Sequence, residues 1–205
     1  MKRSSLTEQA VALLTGRIAS FAFMFLLPMI LVRLFSKHQF GLYREFFVIF
    51  FALYMLAQFG MTYALPSLIP RNRDKTKEII ANTVFAQFLI AVVLSFAGVF
   101  LFFYGECFGL RAEILPLAPI MGMFTGLMVA SSPFDNILII EERSQAAALL
   151  LIVWDLTRGS FILCGALFFH DLPIALWAAT IAAALRYLVM LIYLRSSYQL
   201  SVSQL

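Results

Sequence analysis

The fold is decided by residues 114–169, which read ILPLAPIMGMFTGLMVASSPFDNILIIEERSQAAALLLIVWDLTRGSFILCGALFF. Two apolar runs in this segment, 114–134 and 146–169, are each long enough to cross a lipid bilayer, which takes about 20 helical residues. The polar stretch between them predicts an elbow at residues 135–145, with Asp135 capping or anchoring the end of the first helix. The segment therefore predicts a pair of membrane-spanning helices.

Charged residues lie inside the predicted helices, where they are costly. Asp155 and Arg158 are three residues apart near the middle of the second run, so their side chains can pair on one helix face. A charge at the centre of a span costs about 2.5–3.5 kcal/mol on the insertion scale and needs a partner or a water-filled cavity. Arg17 and Arg186 lie in two other predicted helices. Three arginines against one aspartate leave an excess of two positive charges, which predicts an anionic ligand with a phosphate-like group.

The same charges also have a structural interpretation. Asp155 and Arg158 would then form an ion pair that only fixes helix packing, while Arg17 and Arg186 would extend to the lipid headgroups. Arg158 is the hardest to explain in this way, because it lies near mid-span. Its surroundings should separate the two interpretations, since a water-filled cavity indicates ligand binding and a dry contact with Asp155 indicates packing.

The composition belongs to a membrane protein. The chain has 205 residues, of which 62% are hydrophobic and 13% charged, whereas soluble domains average about 45–50% apolar and about 25% charged residues. The net charge of +4 does not indicate nucleic acid, because most lysines and arginines lie between the apolar runs. Cys107 and Cys164 do not have the spacing of metal ligands, and we expect neither a metal nor another cofactor.

Hydropathy predicts an all-α integral membrane protein, a single transmembrane domain over residues 1–205 with short loops. The expected helices cover about residues 6–34, 42–69, 79–104, 114–136, 146–169 and 174–194. Basic residues of the loops set the orientation, because cytoplasmic loops carry the excess of lysine and arginine. Eight such residues fall on the side of the N-terminus and four on the other side, so both termini are expected in the cytoplasm.

Two polar stripes follow the second and third predicted helices. Their members recur about every four residues, which places each stripe on one helix face. They are Tyr54, Gln58 and Thr62 on one helix, and Thr83, Gln87 and Ser95 on the next. Each stripe either lines a cavity or forms a hydrogen-bonded seam between helices. On the first interpretation, Gln58 joins the candidate substrate-binding residues.

A ridge of small residues follows the fourth predicted helix. It consists of Ala118, Gly122, Gly126 and Ala130. Small residues at this spacing allow two helix backbones to approach closely in lipid. We therefore predict that this ridge packs against another helix.

The beginning of the chain carries three motifs in a characteristic order. They read PMILVRLFS at 28–36, FGLYREFF at 40–47, and LPSLIPR at 65–71 after QFGM at 58–61. This order resembles the opening of the bacterial oligosaccharide and polysaccharide flippases of the O-antigen type, in the multidrug/oligosaccharidyl-lipid/polysaccharide exporter superfamily. Beyond Arg71 the resemblance consists of helix count and loop size.

The resemblance implies one half of a transporter. Family members have about twelve to fourteen helices in two halves around a central cavity, so this chain looks like the N-terminal half. It would move a polyprenyl-pyrophosphate-linked glycan across the bacterial inner membrane by alternating access. Arg17, Arg158 and Arg186 are candidates for the pyrophosphate by their chemistry. The expected partners are this glycan, membrane lipids, and a second six-helix half or another copy, with no nucleic acid.

Other function classes stay open. Without P-loop, HExxH or GxSxG motifs, the sequence does not indicate an enzyme. A non-transporting assembly or interaction component of envelope glycan synthesis would use its buried charges for packing alone. Half of a cation-coupled drug antiporter would favour acidic cavity residues, of which Asp155 is the candidate at mid-span.

Overall fold

The computed structural model describes residues 6–109, 111–141 and 143–198. In the first turns of the chain several side chains, including that of Arg17, lie outside what is described. Every α-helix or 3₁₀ turn of the described residues belongs to one helical bundle without strands. The helices are α1 (Leu6–Leu34), α2 (Lys37–Ala57), α3 (Met61–Arg71), α4 (Thr76–Tyr104), α5 (Ala118–Ala130), α6 (Pro133–Ile140), α7 (Ser144–Phe169) and α8 (Leu172–Tyr198).

The bundle has the length and hydropathy of a membrane domain. Within the described residues, five helical segments are long and apolar enough to cross a bilayer, and Ser20–Leu34 of α1 is a shorter apolar helix. The five segments are Lys37–Arg71, Arg73–Phe108, Leu115–Ile140, Gln145–Phe169 and Leu172–Tyr198. The predicted all-α membrane bundle is therefore confirmed.

The second predicted helix, 42–69, is wrong at its beginning and in its middle. It begins at Lys37, because Ser36 accepts a hydrogen bond from the Gln39 amide and Gln39 caps Ser36 in return. It is interrupted between Ala57 and Met61, where Phe59 and Gly60 have φ angles of 46° and 69°. This left-handed geometry suits glycine and is uncommon for phenylalanine. The span therefore consists of two helices, α2 and α3.

The elbow predicted at 135–145 is also wrong. The chain is broken earlier, at Ser131 and Ser132, and then continues as α6 to Ile140. Pro133 explains the break, because it has no N–H for the helical ladder and its ring clashes with the preceding turn. As a result Asp135 lies in the first turn of a helix inside the bundle; α6 continues to Ile140, and α7 begins at Ser144.

The span Leu115–Ile140 is the centre of the bundle. In its most apolar window 72% of the residues are buried, against 44% or less in the other four candidate spans. Its helix α5 packs against α4, α8 and α2, while α1 packs along α7 and α7 along α8. By contrast, α1 and α2 barely touch each other, which leaves space between them.

Two hydrophobic cores are stacked along the bundle. The first core joins α1, α2, α5, α7 and the beginning of α8, and the second joins α3, α6 and the adjoining parts of α4, α7 and α8. Polar residues lie between them: Arg186, for example, follows Ala183 of the first core and precedes Met190 of the second. We call these residues the polar layer; its members are Gln58, Thr62, Gln87, Ser132, Asp135, Asp155, Arg158 and Arg186.

Contacts between connections show that successive spans run in opposite directions. At one end, the Gln39 side chain donates to the His170 carbonyl across 3.3 Å, and Arg111 pairs with Glu45 at 3.7 Å. At the opposite end, the Tyr198 hydroxyl donates to Glu141 across 2.6 Å. This alternation agrees with short connections between neighbouring spans. Which end faces the cytoplasm stays a prediction.

The predicted ridge packs against α4. A Cβ placed on Gly122 would lie 2.6 Å from the carbonyl oxygen of Leu94 and 2.9 Å from the Cα of Gly98. A Cβ on Gly126 would lie 2.6 Å from the carbonyl oxygen of Ala91. Even one methyl group has no space there, so the close approach of α4 and α5 depends on glycine.

Replacing Gly126 with leucine should therefore destabilise the protein. We expect a loss of about 1–3 kcal/mol, the usual cost of an overpacked contact, because the backbone of α4 must move away. The measurement is thermal unfolding in detergent. Gly41→Leu is the matched control, because Gly41 lies in α2 with open space around it. Equal stability of the two variants would contradict the close contact.

Candidate functional site

A cavity of about 880 Å³ lies in the space between α1 and α2. It reaches from Phe40 and Arg44 of α2 to the polar layer, and α7, α8 and α6 close its far side. One wall is aromatic and belongs to α2, with Phe40, Tyr43, Phe47, Phe50, Phe51 and Tyr54. Among the described residues, the charged side chains of the lining are Arg44, Asp135, Asp155, Arg158 and Arg186.

Asp155 and Arg158 form the predicted ion pair on α7. The Arg158 Nη2 donates to Asp155 Oδ1 across 3.0 Å. The Arg158 side chain is 12% exposed and the Asp155 side chain 22%. The same nitrogen lies 3.2 Å from the thioether sulfur of Met24 on α1. Because both charged residues also line the cavity, Arg158 is at once paired and adjacent to open space. Its surroundings therefore do not separate ligand binding from packing.

Arg186 has a partner that the sequence did not indicate. Its Nη2 donates to Asp135 Oδ2 across 2.7 Å, from α8 to the first turn of α6. The interpretation of Asp135 as a cap or anchor of a helix end is wrong, because its carboxylate pairs with Arg186 and lines the cavity. One signal was available in the sequence. A buried arginine needs an acid at its own depth, and Asp135 lies two spans before Arg186, on a span that runs in the same direction.

The charges of the described cavity lining are nearly balanced. Arg158 and Arg186 are each matched by an aspartate, so the pairs contribute no net charge. Arg44 lies at the exposed rim and leaves an excess of one positive charge in the described lining, whereas the predicted excess of two also counts Arg17. The side chain of Arg17 lies outside the described part, so its predicted role is not placed. Arg44 was not among the predicted site residues, because it lies near the beginning of α2, beside a connection between helices.

Gln58 does not line the cavity. It is 4% exposed, and its carbonyl accepts a hydrogen bond from the Gln87 side chain across 3.4 Å. Thr62 is likewise buried, with its hydroxyl 3.1 Å from that of Ser132. The first stripe is thus divided, because Tyr54 borders the cavity and the other two residues form a seam. The seam interpretation also holds for Gln87 of the second stripe.

The cavity combines two chemical environments. The buried end presents the guanidinium groups of Arg158 and Arg186, whose planar donors suit phosphate oxygens. The aromatic wall suits an apolar chain or the face of a sugar ring. Its volume lies within the range of about 300–1,000 Å³ found for small-molecule sites. Such a cavity fits an amphiphile with an anionic group better than a purely apolar molecule.

One comparison with known proteins gives a match. The family model described as polysaccharide biosynthesis protein matches residues 6–204, nearly the whole chain. No curated protein matches the chain, and no solved structure does.

Proposed function

Because the chain belongs to the polysaccharide biosynthesis protein family, we propose that it moves lipid-linked oligosaccharide or polysaccharide repeat units across the bacterial cytoplasmic membrane. A larger transporter would contain it, completed by a second six-helix half or another copy. The observation that supports this proposal is the cavity, which joins buried guanidinium groups to an aromatic wall inside a membrane bundle. A polyprenyl-pyrophosphate-linked glycan has the matching parts, namely an apolar chain, a diphosphate and sugars.

The ion pairs are compatible with anion binding. An isolated arginine in the membrane interior is costly, so Asp135 and Asp155 stabilise Arg186 and Arg158 while the cavity holds no anion. Each guanidinium has five N–H donors and uses only part of them on its aspartate. A diphosphate can bind the remaining donors or displace a carboxylate, since it carries more charge and more acceptor oxygens.

Binding of a short analogue tests the proposal. Geranyl diphosphate should raise the midpoint of thermal unfolding of the protein in detergent, and geraniol, which has the same chain without charge, should not. Arg158→Gln should weaken diphosphate binding roughly tenfold to 100-fold, because a hydrogen bond to a charged group contributes about 1.5–3 kcal/mol. Equal effects of the two compounds on the wild-type protein would contradict an anion site.

Two alternatives each have one supporting observation. A non-transporting assembly component is favoured by the pairing of both buried arginines, which satisfies them without a ligand. Half of a cation-coupled drug antiporter is favoured by the second carboxylate of the lining, Asp135. The same assay separates them, because an assembly component should bind neither compound and an antiporter should prefer an apolar cation such as tetraphenylphosphonium.

A further inference from the structure

We propose that α3 and α6 form a movable segment, which the Asp135–Arg186 pair holds against α8, and that an anion bound to Arg186 releases it. The role of the anion rests on the proposed function, while the restraint of the segment rests on the structure. Asp135 is in this sense a positioning residue, because it connects the state of Arg186 to the position of α6.

Two helix breaks bound the segment. The span of α2 and α3 is interrupted at residues 58–60, and the span of α5 and α6 at residues 131–132. Both interruptions lie in the polar layer, between the two hydrophobic cores. A few residues at the ends of helices can absorb large changes of φ and ψ, so these breaks allow α3 and α6 to change direction while α2 and α5 stay in place.

Side-chain contacts join α3 to α6. The hydroxyl groups of Thr62 and Ser132 are 3.1 Å apart at the two breaks, and both residues are buried. Further from the breaks, Leu65 and Ile69 of α3 belong to the same core as Phe134 and Ile137 of α6. A change in the direction of one helix therefore requires a change in the other.

The segment is attached to α8 at both ends of α6. At the cavity, Asp135 pairs with Arg186; at the far end, Glu141 accepts hydrogen bonds from Tyr193 and Tyr198. Only the first attachment is within reach of a molecule in the cavity. Loss of the Asp135 contact should therefore free the cavity end of α6 while Glu141 keeps the other end in place.

An anion in the cavity can compete with Asp135 for the guanidinium group of Arg186. Asp135 Oδ1 and Arg186 Nε are buried and have no hydrogen-bond partner among the described residues. The contact with Asp135 uses Nη2, one of three guanidinium nitrogens, so Arg186 can donate to an anion without losing all contact with Asp135 at first. A diphosphate attracts the guanidinium more strongly than one carboxylate does, because it carries more negative charge. Once Arg186 turns to the anion, the attraction that holds α6 is lost.

Distances between spin labels on α3 and α8 test this proposal. The labels are placed at Ser67→Cys and Leu188→Cys, both exposed, in a protein whose Cys107 and Cys164 are replaced by serine. Asp135→Asn should add a second population of distances, and Asp135→Glu should restore the single population of the parent protein.

Two controls accompany the measurement. Asp155→Asn removes an equal charge from the cavity but breaks a contact within α7, so it should leave the α3–α8 distances unchanged. A second label pair, Phe96→Cys on α4 and Met123→Cys on α5, should not respond to any variant, because these two helices are packed backbone to backbone.

Adding inorganic pyrophosphate to the parent protein tests the role of the anion. It should produce the same second population as Asp135→Asn. A folded Asp135→Asn protein with unchanged distances overturns the proposal; if that variant does not fold, unchanged distances with pyrophosphate overturn it. A shift with Asp135→Asn and none with pyrophosphate supports the restraint of the segment and counts against the proposed anion site.

Discussion

Replacing Arg186 with glutamine should destabilise the protein by about 3–5 kcal/mol, the usual cost of removing one partner from a buried ion pair. The variant leaves the Asp135 carboxylate without its cation between two hydrophobic cores. The Arg186 side chain is 10% exposed and that of Asp135 27%, so solvent replaces little of the lost interaction. Thermal unfolding in detergent measures the loss.

A double variant and a variant of an exposed ion pair are the controls for this prediction. Arg186→Leu combined with Asp135→Leu should cost much less than Arg186→Gln alone, because no uncompensated charge remains. Arg111→Gln breaks an exposed pair with Glu45 and should cost no more than about 1 kcal/mol. If Arg186→Gln and Arg111→Gln have equal effects, Arg186 is solvated in the membrane-embedded protein and the described pair does not hold it.

The transmembrane architecture could be predicted because it depends on long averages along the chain. Lipid requires about 20 apolar residues in each span, and a single charge or proline does not hide such a run. The packing of the ridge of small residues could also be predicted, since Gly122 and Gly126 are useful in a membrane helix only where another backbone approaches. These features need no knowledge of the tertiary structure.

Local signals within the spans were harder to read. Ser36 and Gln39 form a capping box, which is visible in the sequence. A prediction that uses this capping box begins α2 at Lys37, five residues before the predicted start at residue 42. Pro133 and Gly60 could have indicated helix breaks, but both residues also occur in uninterrupted membrane helices. Whether they break a helix depends on neighbouring polar groups that satisfy the freed backbone. Here the Gln87 side chain donates to the Gln58 carbonyl, and the Ser131 hydroxyl donates to the Met128 carbonyl.

The sequence signal for the partner of Arg186 is weak for a physical reason. Asp135 and Arg186 are 51 residues apart, and their contact depends on the depth and rotation of two separate helices. A shift of one residue in α6 would turn the carboxylate by about 100°. Asp155 and Arg158, by contrast, lie on one helix, where the spacing alone brings them together.

The functional prediction with the largest effect concerns Arg158. Arg158→Gln should reduce the amount of exported surface glycan roughly tenfold or more, because it removes a charged donor worth about 1.5–3 kcal/mol from the anion site. The measurement is made in cells that carry the complete transport machinery, at matched protein level. Such a reduction at normal abundance cannot be attributed to poor folding.

Two further variants identify what Arg158 contributes. Arg158→Lys keeps the charge but not the planar fork of donors, so partial export indicates a need for charge alone, and loss indicates that the guanidinium geometry is required. Asp155→Asn should impair export less than Arg158→Gln, because it removes the carboxylate that orients the guanidinium across 3.0 Å but leaves the cation in the cavity. If Arg158→Gln exports normally and Asp155→Asn only lowers stability, the pair serves packing alone. The cavity would then hold no diphosphate at Arg158, and the assembly role would become the better explanation of both charges.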